Sequence, residues 1–317
     1  MSNNSSQETV ASYDQSFDTQ TPFVRDTLKL SRLNNYIYVV HVGSSFSPTT
    51  KTLVDQCGYI ILSNSDTSTG TSTSTKSGRK RGLFVDVMQN PCAKAYTIFE
   101  DIGVEIAGVL FTHRHVLTAS DMECWHEVMD LIDYPNTPVL LHSSDHHNKQ
   151  VVQFNPKMKY QCVVDHPLMR EFQLTPVCVK GGDQTLTVFY HRPTGTILCG
   201  NLAIGKTEMG TNVSFFFFFL NLNFSFFFFW MCCWDIGLGK LIPEYLHQSK
   251  TELAQFWKAF ENSMCKHRID ERDVKFFACT HGEPVDLQKE NISLIEIFIY
   301  LRSSFTQPES TPSKAKL

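Results

Sequence analysis

Apolar and polar positions along the chain form short β-type runs alternating with longer helical ones. "NYIYVVHV" and "CGYIILSN" are rich in β-branched and aromatic residues at strand length. A Ser/Thr/Gly tract over 63–82 interrupts them and predicts a long loop, after which "LFVDV" reads as a buried strand ending at Asp86. "PCAKAYTIFEDIG" reads as a helix, "AGVLFT" as a strand and "SDMECWHEVMDLID" as an amphipathic helix capped by Ser120 or Asp121. Further strands are predicted at "PVLLHSS", "FQLTPVCV", "TLTVFYH", "TILCGNL" and "VKFFACT", with Pro193-Thr194-Gly195 as a turn. "LIPEYLHQSKTELAQFWKAFENSM" and "LQKENISLIEIFIYLRSS" read as helices. This alternation, with hairpins inside it, predicts a mixed α/β layered domain.

One stretch breaks the pattern. Residues 213–234, "VSFFFFFLNLNFSFFFFWMCCW", carry ten of the 25 phenylalanines. The run is about long enough to span a bilayer, since roughly 20 apolar residues suffice. Asn221, Asn223 and Ser225 sit near its middle, however, and a span would put His281 across the membrane from His113. A core strand pair of this monotony would be an aggregation hazard. The composition favours a third reading, translation of a T-rich intron tract over 211–234, and transcript reads across the segment decide between the three.

Composition narrows the picture further. At 317 residues the chain can bury a sizeable core. Residues 1–22 are polar and read as a disordered tail without the basic and apolar regions of a secretory signal. The domain then covers 23–305, and 306–317 form a flexible tail. Ten cysteines without a C-x-x-C pair read as reduced thiols. The formal net charge of −4 argues against nucleic acid as partner, and no membrane partner is expected unless the Phe-rich run is real. The ending Ala315-Lys316-Leu317 is of the Ser-Lys-Leu type and predicts a peroxisomal address, with a cytoplasmic location otherwise.

The chemistry concentrates in "THRH", where His113 and His115 follow a strand, and in "CTHGEP", which carries His281. An isolated His-x-His reads more readily as a solvated or hydrogen-bonded pair than as a metal site. Taken in order, however, a strand ending in Asp86, then "THRH", "GTILCGN" and "CTHGEP" resemble the metallo-β-lactamase superfamily. These are the hydrolases that include glyoxalase II and related thioesterases, and the resemblance spans about residues 35–302. It implies an α/β (α+β) fold of the four-layer αββα sandwich type and a metal site on His113, His115 and His281. It also implies zinc or iron as the metal, if any metal binds, and a small-molecule ester or thioester as substrate.

The family pattern is incomplete here. Leu117 and Thr118 stand where an aspartate and a histidine are expected, Gly182 where a third histidine is expected, and Asn201 where a bridging carboxylate belongs. Three of seven ligand positions are kept. Because catalytic zinc sites generally use three protein ligands plus water, a single metal is the most that this set supports. Two functions follow: a metal-dependent hydrolase, or a catalytically inactive binding or regulatory protein on the same scaffold. Asp86 matches the family's structural aspartate and also reads as a cap for nearby amides. Asp145, His146 and His147 in "SSDHHNK" read as an exposed loop that could supply a replacement ligand, Asp121 as an N-cap, and Cys199 as a core thiol.

Overall fold

The computed structural model describes residues 29–47, 52–63, 80–87, 103–113, 132, 134–146, 151, 159–181, 184–204 and 250–297. The helices expected near 91–103 and 120–133, the Phe-rich run and both tails lie outside these residues. The first half of the described chain holds β1 (Lys29–Arg32), β2 (Ile37–Ser47), β3 (Thr52–Leu62), β4 (Lys80–Val85), β5 (Val104–Leu110), β6 (Val139–Leu141) and β7 (Tyr160–Cys162). The second half holds helix α1 (Pro167–Glu171), β8 (Leu174–Gly181), β9 (Gln184–His191), β10 (Thr196–Ile204), helix α2 (Lys250–Lys266), β11 (Phe276–His281) and β12 (Val285–Asp286).

Strand order is β7-β6-β5-β4-β3-β11-β10-β9-β8, with β2 beside β3, β1 beside β2 and β12 beside β11. β4 through β7 run parallel to one another, as do β10 and β11. Parallel neighbours need long crossovers, and α2 lies in the one between β10 and β11. The two halves of the sheet join through a single register pair, Gln56 with His281.

Alternation along the strands creates the layers. In β4, Leu83 and Val85 enter one core while Phe84 enters another. In β10 and β11, Leu198 and Ala278 join Leu83 and Val85, while Ile197, Cys199, Phe277 and Cys279 face the opposite way. Both sheets are therefore apolar on both faces, with a shared core between them and a separate core outside each. On the outer face of the second sheet, α2 contributes Trp257, Phe260 and Met264, spaced along one helical face, and packs on β8. The result is the expected four-layer arrangement of two mixed sheets.

Two expectations change. The tract over 63–82 was read as loop, but β4 already begins at Lys80, where Lys80 and Arg81 pair with Val104 and Glu105 of β5. Arg81 also meets Glu105 at 3.7 Å and Glu171 in a close ion pair, so charged side chains are accommodated at a strand's entrance. The closing helix was read from Leu287, but 287–291 form turns and Asn291 is left-handed at φ 54°. The helical turn starts at Ser293, whose backbone N–H donates to Glu296 Oε2 at 2.6 Å while Glu296 N–H donates to Ser293 Oγ at 3.2 Å. That reciprocal pair is a capping box. Among the described residues, no helix is long and apolar enough to cross a membrane.

Candidate functional site

Because β4 and β5 are parallel neighbours, their C-terminal ends place Asp86 beside the chain leading to His113. Asp86 N–H donates to Leu110 O at 3.0 Å, and Asp86 itself is left-handed at φ 55°, a conformation that aspartate tolerates better than most residues. Its carboxylate is 3 % exposed and fully engaged. Oδ1 accepts from Thr112 N–H at 2.9 Å, and Oδ2 accepts from the Thr112 hydroxyl at 2.7 Å and the Thr280 hydroxyl at 3.2 Å. Burial pushes the Asp86 carboxyl up to about 6 against these three stabilising donors, so it is ionised at neutral pH.

This junction carries the geometry of the site. Thr112 and Thr280 immediately precede His113 and His281, so one carboxylate oxygen gathers the chain at both histidines, with Asp86 reaching Thr280 across 194 residues of sequence. His113 and His281 are 3 % and 5 % exposed. Thr112 is further held by Thr187 N–H, which donates to its carbonyl at 2.8 Å, and by close approach of β10 at Gly200. Gly200 is left-handed at φ 58°, and a Cβ there would lie 2.5 Å from Thr112 Oγ1. Tyr59 of β3 donates to the carbonyl of Cys279, which pins the other sheet two residues before His281.

The same bonds fix a tautomer. Thr112 has one hydroxyl proton and gives it to the ionised Asp86, so its oxygen, 2.8 Å from His113 Nδ1, accepts a proton from that nitrogen. His113 then carries its hydrogen on Nδ1 and its lone pair on Nε2. Burial lowers His281 to about 4, which keeps that ring neutral at pH 7. Cys57 of β3 lines the same end, 3.6 Å from Gly282 O and 3.6 Å from His41 Nδ1, and His41 Nε2 is 3.0 Å from Ser31 Oγ.

The sequence-derived candidates divide as follows. His113 and His281 are brought to one end of the sandwich, whereas His115 lies outside the described residues, as do Leu117, Thr118, Asp121, His147 and Gly182. Asn201 is a residue of β10. Cys199 is a core thiol, with its sulfur 3.2 Å from that of Cys279, and the described cysteines form no disulfide. The "SSDHHNK" loop differs from expectation because Asp145 is buried at 2 % exposure and His146 Nε2 is 3.0 Å from Leu141 O. Residues 143–146 of the run therefore fold back onto the end of β6. Sequence reasoning passed over Thr112 and Thr280, although the signal was present: both histidines are preceded by threonine.

Two buried imidazoles, His281 held neutral by burial and His113 oriented through Nδ1 by the Thr112 hydroxyl, suit a borderline cation such as zinc. A carboxylate-bridged pair of cations does not fit, because Asn201, a neutral amide, stands at the bridging position and both oxygens of Asp86 are already taken by protein donors. Among the described residues, no group of three or more His, Cys, Asp or Glu side chains is placed to hold a metal ion.

No protein-family model matches the sequence, and no curated protein does either. Solved structures do match in shape. A metallo-β-lactamase from Erythrobacter litoralis aligns at 10 % identity and a TM-score of 0.50, covering 88 % of this chain and 96 % of that one. A flavodiiron core from Synechocystis aligns at 10 % identity and a TM-score of 0.51, covering 87 % of this chain and 61 % of that one. Similarity at this level speaks for architecture, and with the layered cores and the Asp86 junction it establishes that this chain has the metallo-β-lactamase fold.

Proposed function

We propose that the protein is a hydrolase-type member of this fold that acts on an ester or thioester through one cation, zinc or iron, held by His113, His115 and His281. The observation that supports this reading is the Asp86 junction, which gathers the chain at His113 and His281 and leaves His113 Nε2 as the lone-pair nitrogen. A carboxylate–hydroxyl–imidazole chain of this kind orients a ligand and raises its basicity. When bound, the cation would supply an activated hydroxide and polarise the scissile carbonyl. The protein's own part is to hold two buried imidazoles in place, His281 neutral and His113 oriented through Nδ1, in a wall built by Thr112, Gly200 and Cys57.

A second reading, an inactive binding or regulatory module, is favoured by Leu117, Thr118, Gly182 and Asn201 at family ligand positions. Metal analysis of the purified protein with and without His113→Ala separates the two. About one equivalent of zinc or iron, lost in the variant together with acyl-thioester hydrolysis, supports the hydrolase. No metal in either protein removes it and leaves the binding module.

A further inference from the structure

We propose that a concave surface at the opposite end of the strands is a binding site for a phosphate dianion carried by a small molecule. The pocket has a volume of about 290 Å³ and lies between the β9–β10 turn and the segment joining α2 to β11. From Lys275 at its rim to His281 is six residues, or about 20 Å of strand, so it is separate from the histidine site.

The lining brings together Arg192, Arg268, Arg272 and Lys275 against Asp270 and Asp273, four cations to two carboxylates, on a chain whose formal net charge is −4. Arg272 is neutralised locally by a 2.6 Å ion pair with Asp270. Among the described residues the other three cations have no such partner. Arg192 is aimed rather than paired: its Nε donates to Thr175 Oγ1 at 3.0 Å and its Nη2 to His267 O at 3.4 Å, both neutral acceptors. Arg268 and Lys275 make no side-chain hydrogen bond or ion pair among the described residues.

The backbone is specific as well. Arg268 is left-handed at φ 53°, held there by Arg268 N–H donating to Cys265 O and Ile269 N–H donating to Met264 O, both at 3.0 Å. These two bonds cap the C-terminus of α2, and a long side chain at the left-handed position costs of order 1 kcal/mol relative to glycine, so the cap fixes where Arg268 leaves the backbone. On the facing side Gly195, at φ 63°, lies so close to the 270–275 segment that a Cβ would sit 2.1 Å from Asp273 O. This close approach fixes the width of the mouth. Three cations against the one remaining carboxylate, Asp273, leave an excess of two positive charges around a small concavity, which matches a compact dianion better than a monoanion, and guanidinium groups suit phosphate geometry.

The test is calorimetric titration of inorganic phosphate into the full-length protein in phosphate-free buffer, with acetate as the monoanion. The expected results are saturable phosphate binding, at least tenfold weaker acetate binding, and at least tenfold weaker phosphate binding in the Arg268→Gln/Lys275→Gln double variant. Both side chains are exposed, so the double variant is expected to melt with the wild type. His113→Ala is expected to bind phosphate unchanged, whatever the fate of the metal site. Absence of saturable phosphate binding, equal binding by the double variant, or acetate binding as tightly as phosphate would each overturn the proposal.

Discussion

Replacing Asp86 by asparagine reverses the direction of protons at His113 without dismantling the junction. In the native site Oδ1 accepts one amide and Oδ2 accepts two hydroxyl protons. In Asp86→Asn, Oδ1 keeps the Thr112 amide, and Nδ2 presents two hydrogens to the two hydroxyl oxygens. Thr112 must then turn its own proton toward His113 Nδ1, which moves the ring hydrogen to Nε2. The stability cost should be small. Charged hydrogen bonds become neutral, a loss of roughly 1 kcal/mol each, while the carboxylate burial that raises Asp86 to about 6 is relieved by a similar total. Asparagine also tolerates the left-handed backbone. A net change of about 1 kcal/mol is expected, against about 4 kcal/mol for Asp86→Ala, which abandons three bonds and adds backbone strain. Long-range ¹H–¹⁵N spectra of the imidazoles report the tautomer directly, and chemical denaturation reports the stability. If His113 keeps its hydrogen on Nδ1 in Asp86→Asn, the relay through Thr112 is wrong. If the alanine variant is as stable as wild type, the junction is not what holds this end together.

Other outcomes follow from the same structure. Gly200→Ala should lose about 2–4 kcal/mol by denaturant melt, since its φ of 58° and the 2.5 Å approach to Thr112 Oγ1 leave no room for a Cβ. Trp257→Ala, at a fully buried position with Phe260 edge-on at 5.8 Å, should cost about 3–5 kcal/mol by the same assay and loosen α2 from β8. His191 is lowered by burial to about 4, so the unfolded chain takes up a proton near 6.5 that the folded one refuses. Its contribution is fully present above pH 6.5 and is lost as pH falls toward 4, by up to about 3 kcal/mol. Because Asp86 acts in the opposite sense over an overlapping range, the check is the difference between wild type and His191→Gln from pH 7 to 4, which vanishes if the ring is not buried neutral.

The chain's alternating apolar runs were enough to locate the long strands, because a strand buried on one or both faces must show its period in sequence. They also placed "THRH" and "CTHGEP" at strand ends, where loops carry chemistry. Short elements such as β7, α1 and β12 left no periodic signal, since two to five residues cannot establish a period. What only the tertiary structure decided is convergence. Asp86 reaches partners 26 and 194 residues away, Asp145 is buried where its polar neighbours suggested exposure, and Arg192 meets Arg268 and Lys275 across a turn. Local sequence encodes the direction and period of each strand, whereas such meetings depend on register between strands distant in the chain, which is set by packing of both sheet faces at once.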